Sequence, residues 1–303
     1  MENFVLIGVF VMLGILLRRI EAFPRDTPQV LNMFALYVSL PALILLKAPH
    51  IAFSRNDMVV ALVPWGMLLF SMGLVLVGGR LWHWPRSTIG VLLLVVPLGN
   101  TSFMGVPVIQ AFFGTAALSH LIIYDQVGTM LIFATYGSVI LSLYGRGSSL
   151  SLPTVARRML LFPPTIALVI GLACRPWLTA EKVAQSLQSV ALTLVPLVMT
   201  AIGFQLRVRL PHRVMAPLGF GLGIKLIAAP LAVLLTCRLI GATGQAVDVS
   251  IVEAGMPPMV TASALAVIAG MEAELAVALA GVGIILSFGT LPLLYWLIRF
   301  AGS

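Results

Sequence analysis

The sequence predicts an all-α membrane protein made of two inverted repeats of five transmembrane helices, and three observations lead to this fold class. Hydrophobic residues make up 60% of the 303-residue chain and charged residues only 9%, far from the composition of a soluble domain. The apolar residues form ten runs of about 20 residues, the length that crosses ~30 Å of hydrocarbon. Similar features also recur along the chain at an offset of 155 to 157 residues.

The ten predicted spans follow one another through the whole chain. They are residues 3–20, 28–47, 57–79, 87–112, 118–144, 159–174, 186–206, 214–238, 246–268 and 275–298. Arg18 and Arg19 follow the first apolar run, which is the wrong polarity for a cleaved signal peptide, so this run is kept as a helix. Loops on one side hold 11 Lys and Arg residues and loops on the other hold 6. By the positive-inside rule, both termini are predicted to be non-cytoplasmic.

Composition also excludes several classes of function. The formal net charge is +8, but the basic residues lie at span ends and in short loops, where they set topology, so no nucleic-acid partner is predicted. Cys174 and Cys237 form neither a disulfide framework nor a metal-binding spacing, and the four histidines do not cluster. No zinc-protease motif occurs and Ser102 has no base nearby in the sequence. The sequence therefore predicts no enzyme, no catalytic residue and no metal or organic cofactor.

The repeat comprises five spans. The sequence GILLR at 14–18 pairs with GLACR at 171–175, Pro41 pairs with Pro196, and Gly99 pairs with Gly255. Because five is an odd number, the second copy enters the membrane from the opposite side, as in many secondary transporters. The predicted organisation is a first repeat at 1–145, a short cytoplasmic connection at 146–158 and a second repeat at 159–303, all within a single membrane domain.

Spans 4 and 9, which correspond in the two repeats, both carry helix-breaking residues. These residues are Pro97, Gly99, Gly105 and Pro107 in span 4, and Gly255, Pro257 and Pro258 in span 9. Proline frees backbone groups that hydrocarbon cannot satisfy, so such a segment is buried in protein or lines a wet cavity. The exposed N–H groups and helix dipole can hold an anion, and the freed carbonyls a cation. Asn100 can bridge the freed backbone or contact a substrate; the alternative is that the prolines only kink two helices for packing.

Charged residues within the predicted spans are the second signal, because a charge at the centre of a membrane helix costs roughly 2.5 to 3.5 kcal/mol on insertion scales. They are Lys225 in span 8, Asp125 in span 5 and Glu253 just before the break in span 9. Lys225 either attracts an anionic substrate or neutralises a carboxylate as a structural pair. Glu253 is either hydrated near the surface or buried, where it carries a proton or holds Na⁺. Asp125 and Gln126 either serve the site or bond another helix.

A stretch in span 4 resembles a known family. The sequence GNTSFMGVPVIQAFFG at 99–114 is similar to the fourth-helix signature of the auxin efflux carrier family, which includes plant auxin exporters and bacterial malonate-type permeases. The sequence EAGMPPMV at 253–260 and Gln126 extend the resemblance, which covers essentially the whole chain.

The resemblance implies a fold similar to that of bile-acid sodium symporters and sodium/proton antiporters, with a scaffold part and a transport part. Helices 4 and 9 then cross at their breaks beside the substrate. Asn100 matches the family's substrate-facing Asn, and Pro107 with Pro257 or Pro258 match the crossover prolines. Two departures, the short central connection and Met256 where the first repeat has Asn100, favour a bacterial carrier of a small carboxylate over an auxin exporter.

The function expected from these features is a secondary transporter for a small organic anion, such as malonate, malate or an auxin-like acid, working by alternating access. Coupling to H⁺ or Na⁺ is left open, with a uniporter as the alternative. A channel or a membrane receptor for a small carboxylate is the alternative. The lipid bilayer of a bacterial cytoplasmic membrane is the expected surrounding, and a homodimer is left open. The candidate substrate-binding residues are Gly99, Asn100, Thr101, Gln126, Lys225, Gly255 and Met256. The candidate ion-coupling residues are Asp125 and Glu253, with Na⁺ near Glu253.

Overall fold

The computed structural model describes residues 2–51, 55–145, 161–205 and 212–301. Within these ranges the regular structure is helical, apart from one isolated β-bridge. The predicted connection at 146–158 lies outside the described residues.

Several helical stretches have the length and apolar composition needed to cross a membrane. Among the described residues there are six, Thr27–His50, Asp57–Leu81, Thr115–Tyr144, Glu181–Gln205, His212–Leu239 and Ala273–Phe300. Shorter apolar helices lie at Val5–Leu17, Arg86–Val95 and Pro163–Ala173. The chain is therefore a helical protein of membrane type, while the count of ten spans and their inverted topology stay predictions.

The outer face of one long helix shows the apolar surface that lipid requires. On the helix Arg55–Leu81, the side chains of Leu62, Leu69 and Val77 are 62%, 63% and 56% exposed. Their spacing of seven and eight residues places them on one stripe of the helix. A soluble protein rarely exposes such a continuous apolar stripe, whereas hydrocarbon accepts it without cost.

The described chain forms two compact units, each assembled from separate parts of the sequence. The first comprises residues 2–51, 102–122 and 161–205. Its helices are Glu2–Leu17, Thr27–Phe34, Leu40–Lys47, Gly105–Phe113, Leu118–Ile123 at the unit boundary, Pro163–Ala173, Arg175–Leu178, Glu181–Ala191 and Leu194–Gln205, with a π-helical turn at Ala35–Ser39 and 3-10 turns at Ala48–His50 and Thr115–Ala117.

Two glycines allow the first helix of this unit to touch the helix Leu194–Gln205 backbone to backbone. A Cβ atom added at Gly14 would lie 2.1 Å from the Thr200 carbonyl oxygen, and one added at Gly203 would lie 2.0 Å from the Val11 carbonyl oxygen. No side chain fits in either place. Small residues at such crossings let membrane helices gain dispersion contacts along their backbones.

The second unit comprises residues 55–101, 123–145 and 212–301. Its helices are Arg55–Leu81, Arg86–Val95, Ser138–Tyr144, Met215–Gly223, Ala229–Leu239, Gln245–Ala254, Val260–Ile268 and Ala273–Ala301, with π-helical segments at Tyr124–Met130, Phe133–Gly137 and Ile224–Ala228 and a 3-10 turn at His212–Val214.

Both spans with helix-breaking residues are interrupted in the structure. The helix Arg86–Val95 ends before Pro97, and helical structure resumes at Gly105–Phe113. The helix Gln245–Ala254 ends before Gly255, and the next helix begins at Val260. Each interruption leaves non-helical backbone in an otherwise apolar stretch, so its N–H and C=O groups need partners outside their own helix.

Candidate functional site

The two interrupted segments supply each other's missing backbone partners within the second unit. The N–H of Asn100 donates to the Pro257 carbonyl at 2.8 Å, and the N–H of Met259 donates to the Leu98 carbonyl at 3.0 Å. These two bonds form a short antiparallel bridge between Gly99 and Pro258. The bridge holds the two breaks side by side, so the side chains that flank them are brought close together.

Asn100 brings an unpaired donor to this place. Its side chain is 4% exposed, and its amide nitrogen Nδ2 has no hydrogen-bond partner within the described ranges. Leaving a buried donor unpaired costs about 1–3 kcal/mol, so each such group in a folded protein calls for an explanation. An acceptor atom on a bound ligand would explain the unpaired donor of Asn100.

Asp125 is the centre of a buried hydrogen-bond network next to the first break. The Thr101 hydroxyl donates to Asp125 Oδ1 at 2.5 Å, and the Gln126 amide nitrogen donates to Asp125 Oδ2 at 2.7 Å. All three side chains are at most 7% exposed. The other end of the Gln126 amide, Oε1, has no partner among the residues that the structure describes.

Lys225 reaches the second break from a different helix. Its side chain is 1% exposed, and its ammonium donates to the carbonyl of Ala254, the last residue of the helix Gln245–Ala254, at 3.2 Å. The same ammonium lies 3.2 Å from the position that a Cβ atom at Gly99 would take. The ammonium therefore sits where both breaks come together.

Glu253 has the least satisfied side chain of the group. It is fully buried, and neither carboxylate oxygen accepts a hydrogen bond from any described residue. Asp125 and Lys225 both lie within electrostatic range of it. The structure thus favours the buried alternative for Glu253 over a hydrated carboxylate near the surface, and Lys225 bonds a backbone carbonyl rather than the Glu253 carboxylate.

Three of these polar residues lie in π-helical turns. Asp125 and Gln126 belong to the segment Tyr124–Met130, and Lys225 belongs to Ile224–Ala228. A π-helical turn inserts one residue into an α-helix and redirects the side chains near it, and such turns are frequent at functional sites. The 3.6-residue apolar pattern of the sequence carries no sign of them.

The remaining predicted residues have mixed placements. Met256 is fully buried, and Gly255 packs so closely that an added Cβ atom would lie 2.8 Å from Leu294 Cδ2. Both belong to the second break, but neither presents a polar side chain. Pro107 lies in the helix Gly105–Phe113, which belongs to the first unit.

Sequence reasoning missed a cavity in that first unit. Its volume is about 390 Å³, and Pro107 lines it together with Lys47, Gln110, Gln188 and otherwise mostly apolar side chains. Lys47 ends the second predicted span, a position at which the sequence predicts only a role in setting topology. The available signal was Gln110, an amide on the apolar helix Gly105–Phe113.

Tyr124 was missed as well. Its hydroxyl donates to the Met67 sulfur at 3.3 Å, its ring is 2% exposed, and it lies within electrostatic range of Glu253. Its position beside Asp125 and Gln126 in an apolar span was the sequence signal.

Comparison with known proteins adds independent findings. A family model described as membrane transport protein matches residues 1–295. An uncharacterized transporter of the archaeon Methanothermobacter thermautotrophicus is 26% identical over 301 residues, which covers 96% of each chain. An uncharacterized transporter of Methanocaldococcus jannaschii is 25% identical over 275 residues, 85% of each chain.

Proposed function

This chain belongs to the membrane transport protein family, the auxin efflux carrier group that its fourth-span motif resembles, and we propose that it is a secondary carrier for a small organic anion, working by alternating access. Membership of this family establishes the general function, transport across a membrane by a multi-pass protein. The choice of an anion and of a carrier mechanism is our own, and one observation carries it: the unpaired, buried Asn100 amide at the bridge between the breaks.

Three positive features around the bridge favour an anion. The Asn100 side chain offers N–H donors without an acceptor among the described residues. The helix Val260–Ile268 begins one residue after Met259, which is bonded to Leu98, so its first-turn N–H groups and positive dipole end lie beside the same bridge. The Lys225 amino group, bonded to the Ala254 carbonyl at the second break, is the third feature. A carboxylate can take the Asn100 and backbone donors together.

Two carboxyl groups oppose an anion, and this conflict points to a proton as the coupling ion. When all three groups are ionised, Asp125 and Glu253 outweigh Lys225 by one negative charge. An arriving carboxylate would double that excess in a site from which water is excluded. A proton on Glu253 removes it, and a neutral carboxyl needs fewer hydrogen bonds than a carboxylate does. We therefore propose that Glu253 takes up a proton together with the anion.

Coupling through Glu253 has its own test. Glu253→Gln keeps the size of the side chain and removes the exchangeable proton. Flux through this variant should no longer respond to a pH gradient, whereas the wild type should respond. A variant that retains the response would refute the role of Glu253.

The carrier model also needs a part of the protein that moves with the substrate. The second unit contains Asn100, Asp125, Lys225 and Glu253, so we assign it the transport role and the first unit the scaffold role. This assignment follows the resemblance to the auxin efflux carriers.

The experiment that tests the proposed function is flux into liposomes that contain the purified protein. Labelled malonate, malate and indole acetate are the first substrates to try. Asn100→Ala should lower flux at least tenfold because it removes the unpaired side-chain amide donor. The control is Gln185→Ala, which removes an exposed amide and should leave flux unchanged.

Three results would count against the proposal. Full activity of Asn100→Ala would remove Asn100 from the site. Flux that neither saturates nor shows counterflow would indicate a channel instead of a carrier. Ligand binding without any flux would indicate a receptor.

A further inference from the structure

The end of the helix Gln245–Ala254 has the features of a cation site. The last carbonyls of a helix lack intrahelical donors and carry the negative end of the helix dipole. In transporters with broken helices, such carbonyls are the groups that coordinate Na⁺. Here the carboxyl group of Glu253 adds an acidic side chain to the same helix end, and it is fully buried.

A cation that belongs to the protein already lies at this helix end. The Lys225 ammonium donates to the Ala254 carbonyl at 3.2 Å and lies within electrostatic range of Glu253. Lys225 is itself 1% exposed, so its amino group is held at the helix end away from water. A buried ammonium is stable only where carbonyls or carboxylates surround it.

The other break is shaped to admit this ammonium. A Cβ atom at Gly99 would lie 3.2 Å from Lys225 Nζ, closer than an ordinary contact between a carbon and an ammonium nitrogen. Any side chain at position 99 would press on the ammonium, and glycine avoids this. The bridge between Gly99 and Pro258 fixes the position of this open space beside Gly99 relative to the end of the helix Gln245–Ala254.

Asp125, the other acidic residue near the site, already has hydrogen-bond donors. Asp125 lies within electrostatic range of Glu253, but its two oxygens accept hydrogen bonds from Thr101 and Gln126. The Tyr124 hydroxyl is directed to the Met67 sulfur. Glu253 is therefore the acidic group for which the Lys225 ammonium is the main counter-charge.

From this arrangement we propose that the Lys225 ammonium is a built-in substitute for a coupling Na⁺, so that the folded site neither needs nor binds Na⁺. The consequence for transport rests on the proposed function, while the consequence for ion binding rests on the arrangement of Lys225 alone. Removal of the Lys225 side chain should then create a site for a small monovalent cation such as Na⁺ or methylammonium.

The test is thermal unfolding of the purified full-length protein, titrated with NaCl against choline chloride at constant ionic strength. A ligand that binds only the folded state raises Tm progressively, because the added stability grows as RT ln(1 + [L]/Kd). The wild type should show no difference between the two salts. Lys225→Ala should unfold at a lower Tm and regain part of the loss as the concentration of Na⁺ or methylammonium rises.

Lys225→Met is the matched control because its apolar chain fills the space but carries no charge. It should lose stability and show no cation response. If Lys225→Ala does not fold, the double variant Lys225→Ala/Glu253→Gln should fold, because the opposing charge is then gone, and it too should not respond to cations.

A higher Tm of the wild type in NaCl than in choline chloride would overturn the proposal, and so would a folded Lys225→Ala protein whose Tm responds to neither cation. The wild-type titration decides even if no variant folds. Failure of the proposed function would be seen differently, as an absence of anion flux in liposomes, because the unfolding experiment requires no transport.

Discussion

Gly283 offers a way to displace the bridge between the breaks from outside the site. It lies in the long helix Ala273–Ala301, and a Cβ atom added there would lie 2.6 Å from Cδ and 3.4 Å from Cγ of Pro258. Pro258 is bridged to Gly99. Gly283→Ala should therefore push on the second break without altering any polar side chain.

The size of the effect follows from the contact distances. Carbon atoms in contact are separated by roughly 3.5–4.0 Å, so the new methyl group requires a displacement of about 1 Å. Overpacking of this kind costs about 1–3 kcal/mol. Replacing glycine by alanine in a helix recovers up to about 1 kcal/mol, which hides part of the cost.

Gly289→Ala is the control that removes this ambiguity. It lies on the same helix, is exposed, and has no described atom within 4 Å of an added Cβ atom. It gains the same helix propensity without the clash. The difference in unfolding free energy between the two variants should thus be about 1–3 kcal/mol, with Gly283→Ala the less stable.

Two assays check this prediction. Unfolding in detergent measures the difference in stability, and adding Pro258→Ala to Gly283→Ala should restore most of it because the clashing Cγ and Cδ atoms are gone. Liposome flux should fall about tenfold in Gly283→Ala, corresponding to ~1.4 kcal/mol of lost binding, as Asn100 moves with the bridge. Equal stability and equal flux for Gly283→Ala and Gly289→Ala would refute the reasoning.

Two further predictions concern the hydrogen-bond network and the first unit. Thr101→Val removes a donor from a buried carboxylate and should lower the unfolding free energy by about 1–3 kcal/mol, whereas Thr135→Val, which loses a bond to a carbonyl of its own exposed helix face, should change it little. Gly203→Ala should cost about 1–3 kcal/mol because its methyl group would meet the Val11 backbone, while Gly8→Ala on the first helix, with no described atom near its added Cβ atom, should be neutral. Equal effects within either pair, measured by unfolding in detergent, would contradict the contact assignments.

The helix interruptions could be predicted from sequence because proline and glycine act locally. Proline removes a backbone donor and clashes with the preceding turn wherever it stands, so Pro97 and Pro257 predicted breaks without knowledge of the fold. The helices end at Val95 and Ala254, within a few residues of these positions. The long apolar helices were predictable for a similar reason, since span length depends only on hydrocarbon thickness.

The partners of the buried charges could not be predicted, because they depend on packing between distant parts of the chain. From the sequence, Lys225 was equally suited to pair with a carboxylate or to attract an anion. In the structure it bonds the Ala254 carbonyl, 29 residues away, and its ammonium lies beside Gly99, where a larger residue would crowd it. The amino-acid sequence near Lys225 indicates neither the contact with the Ala254 carbonyl nor the space beside Gly99.

At the bridge between the breaks, the polar groups of the backbone have hydrogen-bond partners, whereas several polar groups of the side chains do not. The backbone needs of Asn100 and Met259 are met by the opposite break, so this part of the backbone requires no ligand to be stable. The side chains around the bridge are a different case. Of the eight buried side-chain polar atoms without a partner among the described residues, four belong to Asn100, Gln126 and Glu253. Backbone pairing fixes the two breaks against each other, and the unpaired side chains still need donors and acceptors, which a ligand and a proton can supply together.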